Sequence, residues 1–225
     1  MSSGQPFATA LADLLGRIEH ARAAAVQPAP STTLVAVSKT HPAERILPIL
    51  DAGHRVFAES RVQEARVKWG PLLSAYRGVE LHLIGPLQTN KVRDAVRLFD
   101  VIESLDRPKL AEALKEEFSS HDRQPDLFIQ VNTGNEPQKA GVAIQDVPDF
   151  ISFCRDHLAL PVRGLMCIPP LNQPAAPHFA LLQKLAREAR LPLLSMGMSG
   201  DFEAAIKFGA THVRIGSALF GARDA

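Results

Sequence analysis

The chemistry that this sequence can support centres on Lys39 and on two turns rich in glycine and serine. Lys39 follows the short apolar run 34–37, which places its amine near the end of a buried strand. A neutral lysine amine attacks a carbonyl group and forms a Schiff base. The two turns, at 197–201 and 216–217, each open a helix and offer backbone N–H groups and hydroxyls, the donors that bind phosphate. Together these features indicate a bound phosphorylated aldehyde.

Each of these features also has an ordinary structural explanation. Lys39 taken alone is more typical of a surface lysine at the rim of a barrel. Ser199 and Ser217 can be simple helix N-caps, and Gly216 can be a turn residue. Either loop alone favours those explanations, whereas two neighbouring loops with the same donors favour a phosphate.

Two further polar side chains lie on the strands that lead to this site. Arg214 precedes Gly216 by two residues and therefore shares its strand face, where a buried guanidinium needs an acceptor. Glu59 and Glu103 are the candidate acceptors. His82 lies on another strand and is interpreted as a hydrogen-bonded histidine of the core or the rim.

The elements that position these residues begin at residue 33, where short apolar runs start to alternate with helical patterns. This alternation predicts a parallel sheet built from strand–helix units. The predicted strands are residues 33–38, 54–58, 80–84, 101–104, 127–132, 162–166, 193–196 and 212–215. Eight repeats in one domain-sized chain predict a closed (β/α)8 TIM barrel, whose reactive groups lie at the C-terminal ends of the strands. An open doubly wound sheet would show a glycine fingerprint after its first strand, and residues 38–41 contain no glycine.

An additional N-terminal helix is predicted over residues 7–26. Its apolar stripe consists of Phe7, Leu11, Leu14, Leu15, Ile18 and Ala21. We expect residues 1–30 to form this helix and a connector packed on the barrel, and residues 31–225 to form the barrel. Within the barrel, Pro48 is expected to kink or delay the first helix, and Ser60 has the spacing of a capping box at the start of the second.

Composition and charge narrow the classes of function. The 225 residues include 25 basic and 24 acidic side chains, and the chain has no basic block that would indicate nucleic acid. Cys154 and Cys167 lack metal-ligand spacing and fit a reducing compartment. The sequence shows no secretory signal and no run near the roughly 18 apolar residues of a membrane span. We therefore expect a cytoplasmic protein without nucleic-acid or membrane partners, and a monomer because no assembly element stands out.

The chain resembles the pyridoxal-phosphate homeostasis protein family, whose members are single-domain barrels similar to the N-terminal domain of alanine racemase. The matching segments are residues 37–40, 61–64, 82–91, 163–166, 194–199 and 220–224. The resemblance implies a pyridoxal 5′-phosphate site formed by Lys39, Ser60, Ile84, Met196, Ser199, Arg214, Gly216 and Ser217. Lys39 would carry the cofactor as a Schiff base.

The resemblance also implies what the other residues of this site do. Ser199, Gly216 and Ser217 would hold the phosphate, and Arg214 would face the pyridine nitrogen. Ile84 and Met196 would contact the ring region. Ser60 stands where the family usually has asparagine.

By the same resemblance, the protein holds pyridoxal phosphate and acts in vitamin B6 and amino-acid homeostasis, with apo-enzymes as candidate recipients. Strong catalysis is not expected, because an arginine opposite the ring nitrogen leaves that nitrogen unprotonated and a poorer electron sink. Alanine racemases also use a tyrosine from a second domain, and the one tyrosine here, Tyr76, is predicted far from the strand ends. The alternatives are a weakly active pyridoxal-phosphate-dependent racemase, a cofactor-free Schiff-base aldolase and an interaction module on an inactive barrel.

Overall fold

Eight parallel strands close into a barrel within residues 5–120 and 122–221, the part of the chain that the computed structural model describes. The strands are β1 (Thr33–Val37), β2 (Val56–Glu59), β3 (Glu80–Leu83), β4 (Val101–Leu105), β5 (Asp126–Asn132), β7 (Val162–Cys167), β8 (Leu193–Met198) and β9 (His212–Ile215), while the two-residue β6 (Val142–Ala143) pairs with β5 beside the ring. The sheet order is β4-β3-β2-β1-β9-β8-β7-β5, and the pairing of β4 with β5 closes the ring. The predicted TIM barrel is confirmed, and each predicted strand ends within two residues of the observed one.

Helices surround the barrel and alternate with its strands. They are α1 (Gln5–Ala23), α2 (Ala43–Asp51), α3 (Val62–Ala75), α4 (Val92–Leu98), α5 (Pro108–Ser120), α6 (Val147–Ser152), α7 (Ala175–Glu188), α8 (Phe202–Lys207) and α9 (Ser217–Phe220). None of these helices is both long and apolar enough to cross a membrane.

The predicted N-terminal helix is present as α1, and it packs against α2 and α8. Its buried face contains Leu11, Leu14, Ile18 and Ala21, whereas Leu15, predicted on the same stripe, is exposed. Arg17 joins α1 to α8, because its Nε donates to Glu203 Oε1 at 2.9 Å. The division of the chain at residue 30 stays a prediction. Residues 1–4, 121 and 222–225 lie outside the described part, and the end of the matching segment 220–224 falls there.

Two local expectations about helix starts were wrong. Pro48 does not delay α2, which runs from Ala43 through it to Asp51, while a kink at Pro48 stays a prediction. Ser60 does not cap α3, since that helix begins at Val62 and its N-cap residue is Arg61, without a side-chain capping bond. Ser60 instead packs its backbone on Gly85, where an added Cβ would lie 2.2 Å from the Ser60 carbonyl oxygen.

Side chains of the strands alternate between the barrel interior and the layer beneath the helices, as the two-residue period of a strand requires. The layer beneath the helices holds the large apolar core, for example Phe57 against Trp69 with ring centroids 4.9 Å apart. The interior contains two small apolar clusters, one around Val35 and Ala58 and one around Phe128. The interior also contains charged and polar side chains, which extend as far as the candidate site.

Candidate functional site

A cavity of about 280 Å³ opens at the C-terminal ends of the barrel strands. Six of the eight predicted site residues line it: Lys39, Ile84, Ser199, Arg214, Gly216 and Ser217. They follow or belong to β1, β3, β8 and β9, so strands from both ends of the chain contribute. This position is where barrels of this architecture carry their functional groups.

Lys39 enters the cavity from a tight turn directly after β1. The Ser38 carbonyl oxygen accepts from the His41 N–H at 3.1 Å, which closes the turn around Lys39. Thr40 has a φ of 66°, a left-handed conformation that β-branched residues rarely adopt. Such strained residues cluster at functional sites, where the surrounding structure holds them in place.

The two glycine- and serine-containing loops meet on the side of the cavity formed by β8 and β9. The Ala218 N–H donates to Ser199 Oγ at 3.4 Å and thereby joins the loops. Gly216 lies against β1, where an added Cβ would come 3.4 Å from the Val37 carbonyl oxygen. Hydroxyls and accessible backbone from two adjoining loops are a donor set that suits a phosphate group.

Arg214 forms the floor of the cavity and is only 3% exposed. Its Nη1 donates to Ser195 Oγ at 2.7 Å, and its Nη2 donates to the Cys167 carbonyl oxygen at 2.8 Å. Of the two candidate acceptors, Glu103 is the partner, with Oε2 3.8 Å from Nη1. Three anchors therefore fix the guanidinium in one orientation.

Below Arg214 a column of buried polar groups continues through the barrel interior. Ser195 Oγ donates to Glu103 Oε2 at 2.5 Å, and Glu103 Oε1 lies 2.7 Å from His82 Nδ1. His82 Nε2 lies 2.7 Å from Glu80 Oε1, which is half-exposed at the opposite end of the barrel. The interpretation of His82 as a hydrogen-bonded core histidine is confirmed.

The pKa values in this column favour a charged pair. Burial opposes ionisation of His82, but its hydrogen bonds to Glu103 and Glu80 outweigh burial and raise its pKa to about 9. Burial likewise opposes ionisation of Glu103, yet His82 and Arg214 lower its pKa to about 2. For the neighbouring His212, burial has the largest effect, and it lowers the pKa of this imidazole to about 4. Glu103 is therefore a carboxylate between an imidazolium and a guanidinium.

Two predicted site residues do not lie in the cavity wall. Met196 is fully buried in the core beneath the helices, because it alternates with the interior-facing Ser195. Met198 lines the cavity in its place, since the pairing of β8 with β9 shifts register between Ser195 and Met198, and Gly197 has a φ of 90°. Ser60 lies outside the lining, with its backbone against Gly85.

Sequence reasoning also missed wall residues that the turns bring in. His41 lines the cavity and stacks on Phe220, with ring centroids 5.1 Å apart. Val37 and Ile168 add apolar surface. An isolated glycine within a strand pattern signals a bulge, so Gly197 could have indicated Met198. His41 has no comparable local signal, because its position depends on the turn at Thr40.

Comparison with known proteins places the chain in a family. Residues 11–224 match the family described as alanine racemase, N-terminal domain. The pyridoxal phosphate homeostasis protein of Pseudomonas aeruginosa is 42% identical over 219 residues, which cover 95% of this chain and 94% of that protein. This chain belongs to the pyridoxal phosphate homeostasis protein family. The family's member in Aquifex aeolicus is 39% identical over 222 residues, which cover 95% of this chain and 96% of that protein.

Solved structures agree with this family membership. PipY of Synechococcus elongatus is 38% identical, and the match covers 96% of this chain and all of PipY. The TM-score is 0.84 to PipY without pyridoxal phosphate and 0.79 to PipY with it bound. Alanine racemase of Bartonella henselae is 17% identical with a TM-score of 0.74, over 98% of this chain and 59% of the racemase. That likeness shows a shared fold.

Proposed function

We propose that this protein binds pyridoxal 5′-phosphate in the cavity, holds it through a Schiff base to Lys39, and serves vitamin B6 and amino-acid homeostasis. The observation that carries the proposal is the meeting of Lys39, the two hydroxyl-bearing loops and Arg214 around one cavity. The names of the relatives and the PipY structure with pyridoxal phosphate support it.

The residues present fit this cofactor. Ser199, Gly216 and Ser217 supply donors for a phosphate, and Ile84 with Met198 supplies apolar surface for a ring. Pyridoxal phosphate supplies an aldehyde and, in enzymes, an electron sink. The amine of Lys39 would hold that aldehyde as a Schiff base, with water as the other product of the step. Water or another amine reverses this step, which suits holding and release.

The same residues argue against strong catalysis. Arg214 is anchored by Ser195 and Cys167 and paired with Glu103, so it supplies positive charge without a proton for the ring nitrogen. Tyr76 cannot act as a second base, because it directly follows α3 and its hydroxyl donates to Asp51 Oδ1 at 2.6 Å on the outer surface. We therefore propose a carrier without strong catalytic activity, and turnover of an amino acid that is lost in Lys39→Ala would refute it.

The shared fold with alanine racemases keeps a weak racemase as the second candidate function. We further propose a monomer that acts in the cytoplasm and passes pyridoxal phosphate to apo-enzymes. The two free cysteines, both buried, support a reducing compartment. Sedimentation and cell fractionation test the first two statements, and reactivation of a purified apo-enzyme by the loaded protein tests the third.

The decisive test is borohydride reduction of the protein after incubation with pyridoxal phosphate, followed by peptide mass analysis. We expect a phosphopyridoxyl group on Lys39, a yellow imine absorbance before reduction, and loss of both in Lys39→Ala. Lys184→Ala is the matched control, because Lys184 lies on the exposed outer face of α7. A wild-type protein that stays colourless and unmodified at Lys39 would refute the proposal and favour the aldolase.

A further inference from the structure

Helix α3 holds both chain neighbours of Lys39 from behind the barrel wall. Lys68 Nζ donates to the Ser38 carbonyl oxygen at 2.8 Å, and Glu64 Oε1 accepts from the Thr40 N–H at 2.6 Å. Glu64 and Lys68 lie one helical turn apart on the same face of α3, and their charged atoms are 3.0 Å apart. The residue before Lys39 and the residue after it are therefore tied to one ion pair.

The ion pair is itself anchored in the core. Lys68 Nζ is 2.9 Å from Glu59 Oε1, and the same oxygen accepts from Ser38 Oγ at 2.7 Å and from Trp69 Nε1 at 3.0 Å. Glu59 is fully buried, and burial raises its pKa although Lys68 partly offsets the effect. Three charged groups thus converge behind the turn on the side away from the cavity.

The turn needs such support because of Thr40. Its φ of 66° is a conformation that asparagine and glycine tolerate and that a β-branched residue resists. The Thr40 side chain is exposed, so packing of that side chain does not hold the conformation. The bond from the Thr40 N–H to Glu64 connects the strained residue directly to α3.

We infer that Glu64 and Lys68 are positioning residues: they clamp the turn from Ser38 to His41 and thereby preorganise Lys39 for attack on the aldehyde. Neither side chain lines the cavity. The inference deepens the proposed function and rests on it, since it concerns how the same lysine is presented. Preorganisation improves binding because the turn does not have to be ordered when the ligand arrives.

The test uses Glu64→Ala, which removes the acceptor for Thr40 while Lys68 keeps its partner Glu59. Lys68 is nearly buried, but its ion pair with Glu59 remains, so the variant does not leave a buried charge without a counterion. We expect the dissociation constant for pyridoxal phosphate to rise about tenfold, the effect of losing one hydrogen bond to a charged group. Glu188→Ala is the matched control, because it breaks an exposed ion pair of the same spacing on α7.

A second substitution separates positioning from general stability. Thr40→Asn installs a residue that accepts the left-handed conformation, and it should restore most of the affinity in the Glu64→Ala background while changing the wild-type protein little. Lower thermal stability in Glu64→Ala with an unchanged dissociation constant would overturn the inference. Equal effects of Thr40→Asn in both backgrounds would also overturn it.

A ligand-free measurement distinguishes failure of the clamp from failure of the proposed function. The His41 N–H closes the turn on Ser38, so its hydrogen exchange, followed by NMR, reports the turn without any cofactor. We expect exchange about tenfold faster in Glu64→Ala and a return towards the wild-type rate in Glu64→Ala/Thr40→Asn. Unchanged exchange would refute the clamp even if Lys39 carries pyridoxal phosphate. Protection that follows these expectations would support it even if Lys39 does not.

Discussion

Replacing His82 by glutamine should change how the free energy of unfolding depends on pH. The folded protein holds the His82 proton with a pKa of about 9, whereas an unfolded histidine titrates near 6.5. The folded state therefore binds more protons between these values, and this part of the stability is complete below pH 6.5 and lost as pH rises through 9. At roughly 1.36 kcal/mol for each pH unit between the two pKa values, the contribution is about 3 kcal/mol. Because His82 is fully buried, solvent screening does not reduce it appreciably.

The assay is urea unfolding at several pH values between 6 and 9, followed by the fluorescence of Trp69, the one tryptophan of the chain. The wild-type protein should lose about 3 kcal/mol more than His82→Gln over this range. His20→Gln is the control, since His20 is exposed on α1. Burial raises the pKa of both cysteine thiols to about 12, which steepens the loss near pH 9 in all three proteins equally. Parallel pH profiles for wild type and His82→Gln would show that the ion pair with Glu103 does not form.

Two further pairs of substitutions test the local geometry. Gly85→Ala should lower the free energy of unfolding by about 1–3 kcal/mol, because its Cβ would lie 2.2 Å from the Ser60 carbonyl oxygen. Gly16→Ala, in an open position on α1, should raise it by about 0.5–1 kcal/mol, and thermal unfolding that ranks the two in the opposite order contradicts the packing described here. Met196→Ala should cost about 2–5 kcal/mol of stability with little change in affinity for pyridoxal phosphate. Met198→Ala should weaken that affinity at nearly unchanged stability, and the reverse pattern in titrations would return Met196 to the cavity wall.

The barrel and the main features of the site follow from local rules of sequence. The alternation of apolar runs and helical patterns fixes the order of the strands, and the barrel topology then brings Lys39 near Ser199 and Ser217 although they are far apart in the chain. No detailed knowledge of side-chain packing is needed for that step. Arg214 follows from the same argument, because its strand face is set by its spacing from Gly216.

The remaining features depend on backbone irregularities or on long-range contacts. The register shift at Gly197 turns Met198 into the cavity, although a regular two-residue period would place it with Met196 beneath the helices. Glu103 bonds to Ser195 across 92 positions of sequence. The sequence alone does not favour Glu103 over Glu59 as the partner of Arg214. The contacts from α3 to the turn around Lys39 involve the left-handed conformation of Thr40. A threonine at that position does not predict such a conformation.

The pairing of β1 with β9 has a consequence for the order of events during synthesis. Val35 pairs with Arg214, and Ala36 pairs with Ile215, so the first and last barrel strands join at the site itself. A nascent chain that has folded its first seven strand–helix units still lacks Arg214, Gly216 and Ser217. Capture of pyridoxal phosphate in this site would therefore require β9 and the turn after it to have left the ribosome. Because the ligand would bind only the closed ring, each captured molecule would also oppose reopening of the seam between β1 and β9.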